Sequence, residues 1–131
     1  MRAFREAVEA RDFAAIESLL SDDVVFTSPV AFTPYPGKPI TLAILRNVIE
    51  VLEGFHYVRE LEDGANSALV FQATVAGKAI TGCDFLHLDA DGRIDDFMVM
   101  VRPLSAAQAL AEQMGARFER IKAEAMEAMQ S

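Results

Sequence analysis

At Gly54 the hydrophobic period of this chain changes, and that change limits the folds open to it. Before it, apolar residues recur at helical spacing: Phe4, Ala7 and Val8, then Phe13, Ile16, Leu19 and Leu20, then Leu42, Leu45, Ile49 and Leu52. After it the period is two. Phe55–Leu61, Ala68–Val75, Ala79–Leu88 and Ile94–Val101 read as strands, joined by D-G-A-N-S, A-G-K and D-A-D-G, which are turn sequences of hairpin length. Helices first and an antiparallel meander afterwards predict an α+β fold, with the helices segregated to one face of a curled sheet.

Local signals mark the boundaries. Asp12 is a good N-cap for the second helix, S-D-D at 21–23 ends it, and VVFTS at 24–28 reads as a short strand stopped by Pro29. PVAFTPYPGKP holds four of the five prolines and is expected to be loop. A third helix is expected from about Thr41 to Glu53, with Gly54 just beyond its end. Pro103 closes the sheet, and Ser105 is placed to cap a final helix running towards Met129.

At 131 residues the chain is long enough for one domain with a sizeable core and too short for two. Its formal charge, 12 − 20 = −8, disfavours nucleic acid and anionic membrane surfaces as partners, since both select basic patches. No apolar run approaches the roughly 18 residues that span a bilayer. The opening MRAFREAVEARD lacks a signal-peptide core, and the lone Cys83 suits a reducing compartment, so a cytoplasmic protein is expected. Two histidines and one thiol give no cluster with metal-ligand spacing, and phosphate-binding glycine loops are absent, so neither metal nor cofactor is expected. Cys83 and His87 share a strand face, yet four residues of strand hold them roughly 13 Å apart, too far to work as a nucleophile and its base.

One residue resists a structural account. Asp84 lies inside the apolar stretch ITGCDFLHL, although Asp is among the residues strands least favour. Alternation puts Leu86 and Leu88 on its face, and Cys83, Phe85 and His87 on the other. Either Asp84 works as a carboxyl group in a cavity, or it accepts hydrogen bonds from a buried group; the residues alone leave both open. FLHL and FMVMV are apolar on both faces, so each face needs a cover. A second copy of the sheet is the preferred cover for the outer face, with the C-terminal helix as the alternative.

The ordered words R-D-F-A-A-I-E-S-L-L-S-D-D-V-V-F, P-Y-P-G-K and G-C-D-F-L-H-L-D-A-D-G-R-I-D-D-F-M-V-M-V-R-P-L resemble the SnoaL-like branch of the nuclear transport factor 2-like superfamily. The resemblance covers about 4–117 and implies one domain over 1–131, in which the C-terminal helical extension at about 118–131 departs from the family's pattern. It implies α+β architecture in which N-terminal helices pack in the concave face of a curved antiparallel sheet, a cone with an apolar pocket, followed by a C-terminal helix. The superfamily spans ketosteroid isomerases, polyketide cyclases, epoxide hydrolases, dehydratases and members without known activity, so fold does not give chemistry. Position by position, the oxyanion aspartate of ketosteroid isomerases falls on Asp84, their general base on Ser28 and their oxyanion tyrosine on Phe4. A serine hydroxyl without a base and a phenyl ring cannot fill the last two roles, so ketosteroid isomerase activity is not expected.

The resemblance further implies a domain binding a small, largely apolar molecule, with Asp84 as its polar anchor. Phe4, Ser28, Tyr57, Arg59, Leu86, Leu88, Phe97, Val99 and Val101 are the expected pocket residues, Tyr57 and Arg59 at its rim. The alternative is an enzyme of the polyketide cyclase, isomerase or epoxide hydrolase kind using Asp84 as acid or base. A homodimer is expected through Phe85, His87, Met98 and Met100. The stripe Leu110, Met114, Phe118, Ile121 and Ala125 is read as a lid, a second dimer seam or a frayed tail.

Overall fold

The computed structural model describes residues 1–130; Ser131, the last position of the expected domain, lies outside them. Helix α1 (Arg2–Glu9) buries Phe4, Ala7 and Val8. Asp12 then caps α2 (Phe13–Leu19), its side chain accepting from the Ala15 amide at 3.1 Å. Strand β1 (Leu20–Thr27) follows at once, four residues earlier than the sequence suggests, with an irregularity in its pairing between Leu20 and Val25 that absorbs S-D-D. Within the proline-rich segment, β2 (Tyr35–Pro36) makes a short edge pairing with β1, a place where proline's missing donor is harmless. Helix α3 (Lys38–Val51) begins before the expected Thr41 because Pro39 sits in its first turn, where no amide partner is needed.

The meander follows as β3 (Glu53–Asp63), β4 (Asn66–Val75), β5 (Lys78–Leu88) and β6 (Ile94–Arg102). Strand order is β2-β1-β6-β5-β4-β3, giving a six-stranded curved, open sheet with helices packed in its concave face. This is the expected α+β architecture, with two corrections. The sheet is mixed rather than wholly antiparallel, because β1 runs parallel to β6, pairing Val25 with Asp96, Phe26 with Phe97 and Thr27 with Met98. Hairpin turns dictate direction within the meander, whereas β1 meets β6 through most of the chain, and no turn governs that encounter. The second correction concerns the C-terminal helix, which is broken at Arg117 into α4 (Leu104–Ala116) and α5 (Phe118–Gln130). Pro103, not Ser105, stands at the N-cap position of α4, and no side chain caps it.

The core forms where α1 and α3 meet the sheet. Phe97 is 1% exposed and holds Phe4 edge-on at 5.4 Å and Phe26 at 5.3 Å between ring centroids. Phe71 lies over Gly82, its partner across the β4–β5 ladder. A Cβ on Gly82 would stand 2.2 Å from Phe71 Cζ and 2.9 Å from the Met100 carbonyl, so only glycine lets the ring cross β5 there. Helix α4 packs against β5 and β6, and α5 against α3. Neither covers the outer face of β5 and β6, where Phe85 and Met100 are 40% and 55% exposed.

Candidate functional site

Asp84 sits on β5 and Tyr57 on β3, with β4 between them. Two strand spacings, roughly 9.6 Å, separate the backbones. The curl of the sheet and the reach of both side chains close that gap, and Tyr57 Oη donates to Asp84 Oδ2 at 2.7 Å. Both residues are buried, 4% and 5% exposed. They lie against a cavity of about 60 Å³ between α1, α3 and the sheet, enough for a few water-sized groups. Every other residue lining it is apolar, among them Phe4, Phe26, Phe55, Phe71, Phe97 and Leu110.

Electrostatics follow from that composition. Burial without a cation raises the Asp84 carboxyl from its ordinary value to about 7, against the opposing pull of the Tyr57 hydrogen bond. Burial, and then the neighbouring Asp84 charge, push the Tyr57 phenol well above its usual range, so it remains a donor at any physiological pH. Near neutrality the pair therefore exists in two forms. With Asp84 ionised it is an acceptor; with Asp84 protonated it presents an O–H donor inside an apolar cavity.

The residues expected to line a pocket separate into groups. Phe4, Tyr57, Asp84, Phe97, Val99 and Val101 share this cavity. Ser28 lies instead beside an adjoining cavity, its Oγ accepting from the Val30 amide at 3.1 Å. Leu86 is buried in the core without lining the cavity, Leu88 is partly buried, and Arg59 is exposed on β3. Tyr57 is inside rather than at a rim, and a register irregularity between it and Arg59 puts the two, though two residues apart, in different environments. The pairing of Tyr57 with Asp84 is not readable from the sequence, since the two are 27 positions apart and on non-adjacent strands. Contributions from α2, α3 and α4 (Phe13, Val48, Leu110) are likewise additions by the structure, and of these only Phe13 is marked as core by the helical spacing noted above.

No group of three or more His, Cys, Asp or Glu placed to hold a metal occurs among the described residues. Among these residues no helix is long and apolar enough to cross a membrane.

Residues 1–97 match the family described as the SnoaL-like domain. No curated protein matches the chain. Among solved structures, one described as a steroid delta-isomerase from Pseudomonas aeruginosa is 43% identical, with a TM-score of 0.85 over 92% of this chain and 89% of its own. An uncharacterised bacterial protein with a cystatin-like fold from Silicibacter pomeroyi is 31% identical, with a TM-score of 0.84 over 94% and 92%. An NTF2-like protein of unknown function from Cytophaga hutchinsonii is 24% identical, with a TM-score of 0.60 over 78% and 86%, a likeness of fold.

Proposed function

The chain belongs to the SnoaL-like domain family, with the nuclear transport factor 2-like cone fold, and from that premise we propose that it binds a small, largely apolar molecule through the Tyr57–Asp84 pair. The observation that carries this reading is the isolation of the pair: a 2.7 Å hydrogen bond between the two polar side chains of an otherwise apolar cavity. A buried carboxyl that titrates close to neutral pH can hold a proton and give it as a hydrogen bond to a ligand oxygen. The apolar lining and the net charge of −8 both penalise anions.

Calorimetric titration with ethyl methyl ketone, a minimal apolar acceptor, tests this. Binding should be strongest below about pH 7 and should weaken about tenfold per pH unit above it, as Asp84 loses its proton. Asp84→Asn keeps a donor and should bind without that pH dependence, whereas Asp84→Leu should not bind. Phosphorylated compounds binding in preference to neutral ones would overturn the reading.

A second reading is that Asp84 acts as acid or base in a reaction of the isomerase or cyclase kind. It is favoured by the 43% identity with a structure described as a steroid delta-isomerase. Against ketosteroid isomerisation stands the lack of a second carboxyl or imidazole in the cavity lining to serve as the base. We further propose a cytoplasmic homodimer formed through the outer sheet face of Phe85, His87, Met98 and Met100, a face that neither C-terminal helix covers.

A further inference from the structure

Arg11, Arg46 and Arg120 line an open hollow of about 430 Å³ between the α1–α2 turn, α3 and α5, together with Glu50 and Glu124. Arg117 stands beside them and donates to Glu50 Oε2 at 2.6 Å, while Arg120 Nε donates to Glu124 Oε1 at 3.2 Å. Four arginines against two glutamates give these six side chains a charge of +2, in a chain whose net charge is −8. Both carboxylates have a guanidinium. Arg11 and Arg46 have no carboxylate partner among the described residues, and Arg46 lies over the Phe13 ring at 5.5 Å. Glu17 shares a neighbouring groove with Arg46 without pairing with it. The Arg117 hydrogen bond, and then the charges of Arg120, Arg117 and Arg11, hold the Glu50 carboxyl below its ordinary value against the opposing effect of desolvation. The hollow is therefore a place where a negative charge is favoured.

The backbone at Arg11 points the same way independently. Its amide donates to the Val8 carbonyl at 3.0 Å and that of Asp12 to the Ala7 carbonyl at 2.9 Å, the paired bonds of a Schellman turn closing α1. Arg11 holds the left-handed position of that turn, φ 55°, where glycine is the ordinary residue because it has no Cβ to crowd the backbone. An arginine kept there against that preference, unpaired and lining a hollow, fits a residue retained for a ligand. We infer that the hollow binds small organic dicarboxylates, held by the forked donors of Arg11 and Arg46. The resident glutamates already meet guanidinium groups in this way. A dicarboxylate spreads its charge over two ends, whereas phosphate concentrates it beside Glu50 and Glu124. Arg117, Arg120 and Glu124 lie beyond the residues 1–97 that match the family, so the site belongs to this chain's C-terminal helices rather than to the shared cone. Neither Tyr57 nor Asp84 lines it, and the inference is independent of the reading of that pair.

NMR titration of the arginine Nε–Hε signals of the full chain tests this, with glutarate, butyrate and inorganic phosphate in about 0.1 M salt, where charges more than about 10 Å apart are screened. Glutarate should shift the Arg11 and Arg46 signals and bind about fivefold more tightly than butyrate, the gain that one further exposed ion pair allows. Arg11→Gly should lose about fivefold in glutarate affinity yet melt no lower than wild type, since glycine suits the turn better. Arg46→Gln should lose as much. Arg59→Gln, which removes the same charge outside the hollow, and Asp84→Asn should both stay within about twofold of wild type. Glutarate affinity that survives either Arg11→Gly or Arg46→Gln overturns the inference, and so does phosphate binding more tightly than glutarate or the absence of any shift. A loss of glutarate binding in Asp84→Asn would put the acid in the inner cavity and overturn it as well.

Discussion

The two faces of β5 and β6 carry residues of nearly equal hydrophobicity and meet opposite fates. On the concave side Asp84, Leu86 and Phe97 are 5%, 2% and 1% exposed; on the convex side their neighbours Phe85 and Met100 remain open. What separates them is cover. α1, α3 and α4 close over the concave side, so even an aspartate there is desolvated and its acidity altered. On the convex side His87 Nδ1 lies 2.6 Å from Asp95 Oδ1, a polar contact in a half-exposed setting. Composition did not decide which face became the interior; the route of the chain before and after the meander did.

Substitutions on the two faces test this contrast. The largest effect is expected at Asp84. Its folded pKa of about 7 lies above the ordinary value of 3.8, so between those values the folded state holds more protons than the unfolded one. Stability therefore falls as pH rises through that window and levels off above it. Asp84→Asn cannot ionise and still accepts from Tyr57. It should stabilise the protein by at most about 4 kcal/mol at pH 8 and change little at pH 3, by paired urea melts. Equal melts at pH 8 would mean that the carboxylate is not desolvated.

Gly82→Ala is expected next, at a cost of about 3 kcal/mol, because its Cβ would drive into Phe71 and the Met100 carbonyl and force β4 and β5 to shift. A cost below about 1 kcal/mol would show that the Phe71 ring moves aside freely. Tyr57→Phe should follow, at about 2 kcal/mol at pH 8, where it leaves a buried carboxylate without its donor, and less at pH 4. It should also raise the Asp84 pKa further, since the Tyr57 hydrogen bond lowers it; carbon-detected NMR titration of Asp84 reads this directly.

The smallest effect on the fold is expected on the convex side. Met98→Asp should leave monomer stability within about 0.5 kcal/mol, since the side chain is only partly buried there. Its consequence should be for assembly: wild type should sediment as a dimer and the variant as a monomer. A monomeric wild type would overturn the proposed interface and make the convex face an open apolar surface.

The secondary structure is largely legible because hydrophobic period and turn residues act over a few positions. The meander, the Asp12 cap and the alternation that turns Asp84 away from Phe85 all follow from local sequence. Boundaries near proline are less legible: P-G-K-P reads as loop, yet Pro39 begins a helix, because proline fits a first turn as well as a loop. The break at Arg117 carries no glycine or proline at the break itself, and packing of α5 on α3 with the Arg117–Glu50 bond accompanies it.

Local sequence was enough to put a carboxyl group in an apolar strand and to give that strand two apolar faces, because a side-chain period of two is a property of the backbone. It could not determine which phenol would meet that carboxyl, that β1 would run parallel to β6, or that Phe26, Pro29 and Leu110 would stand between two cavities. Those facts join residues tens of positions apart. They depend on sheet curvature and on the order in which strands come to lie side by side, and no local propensity encodes either.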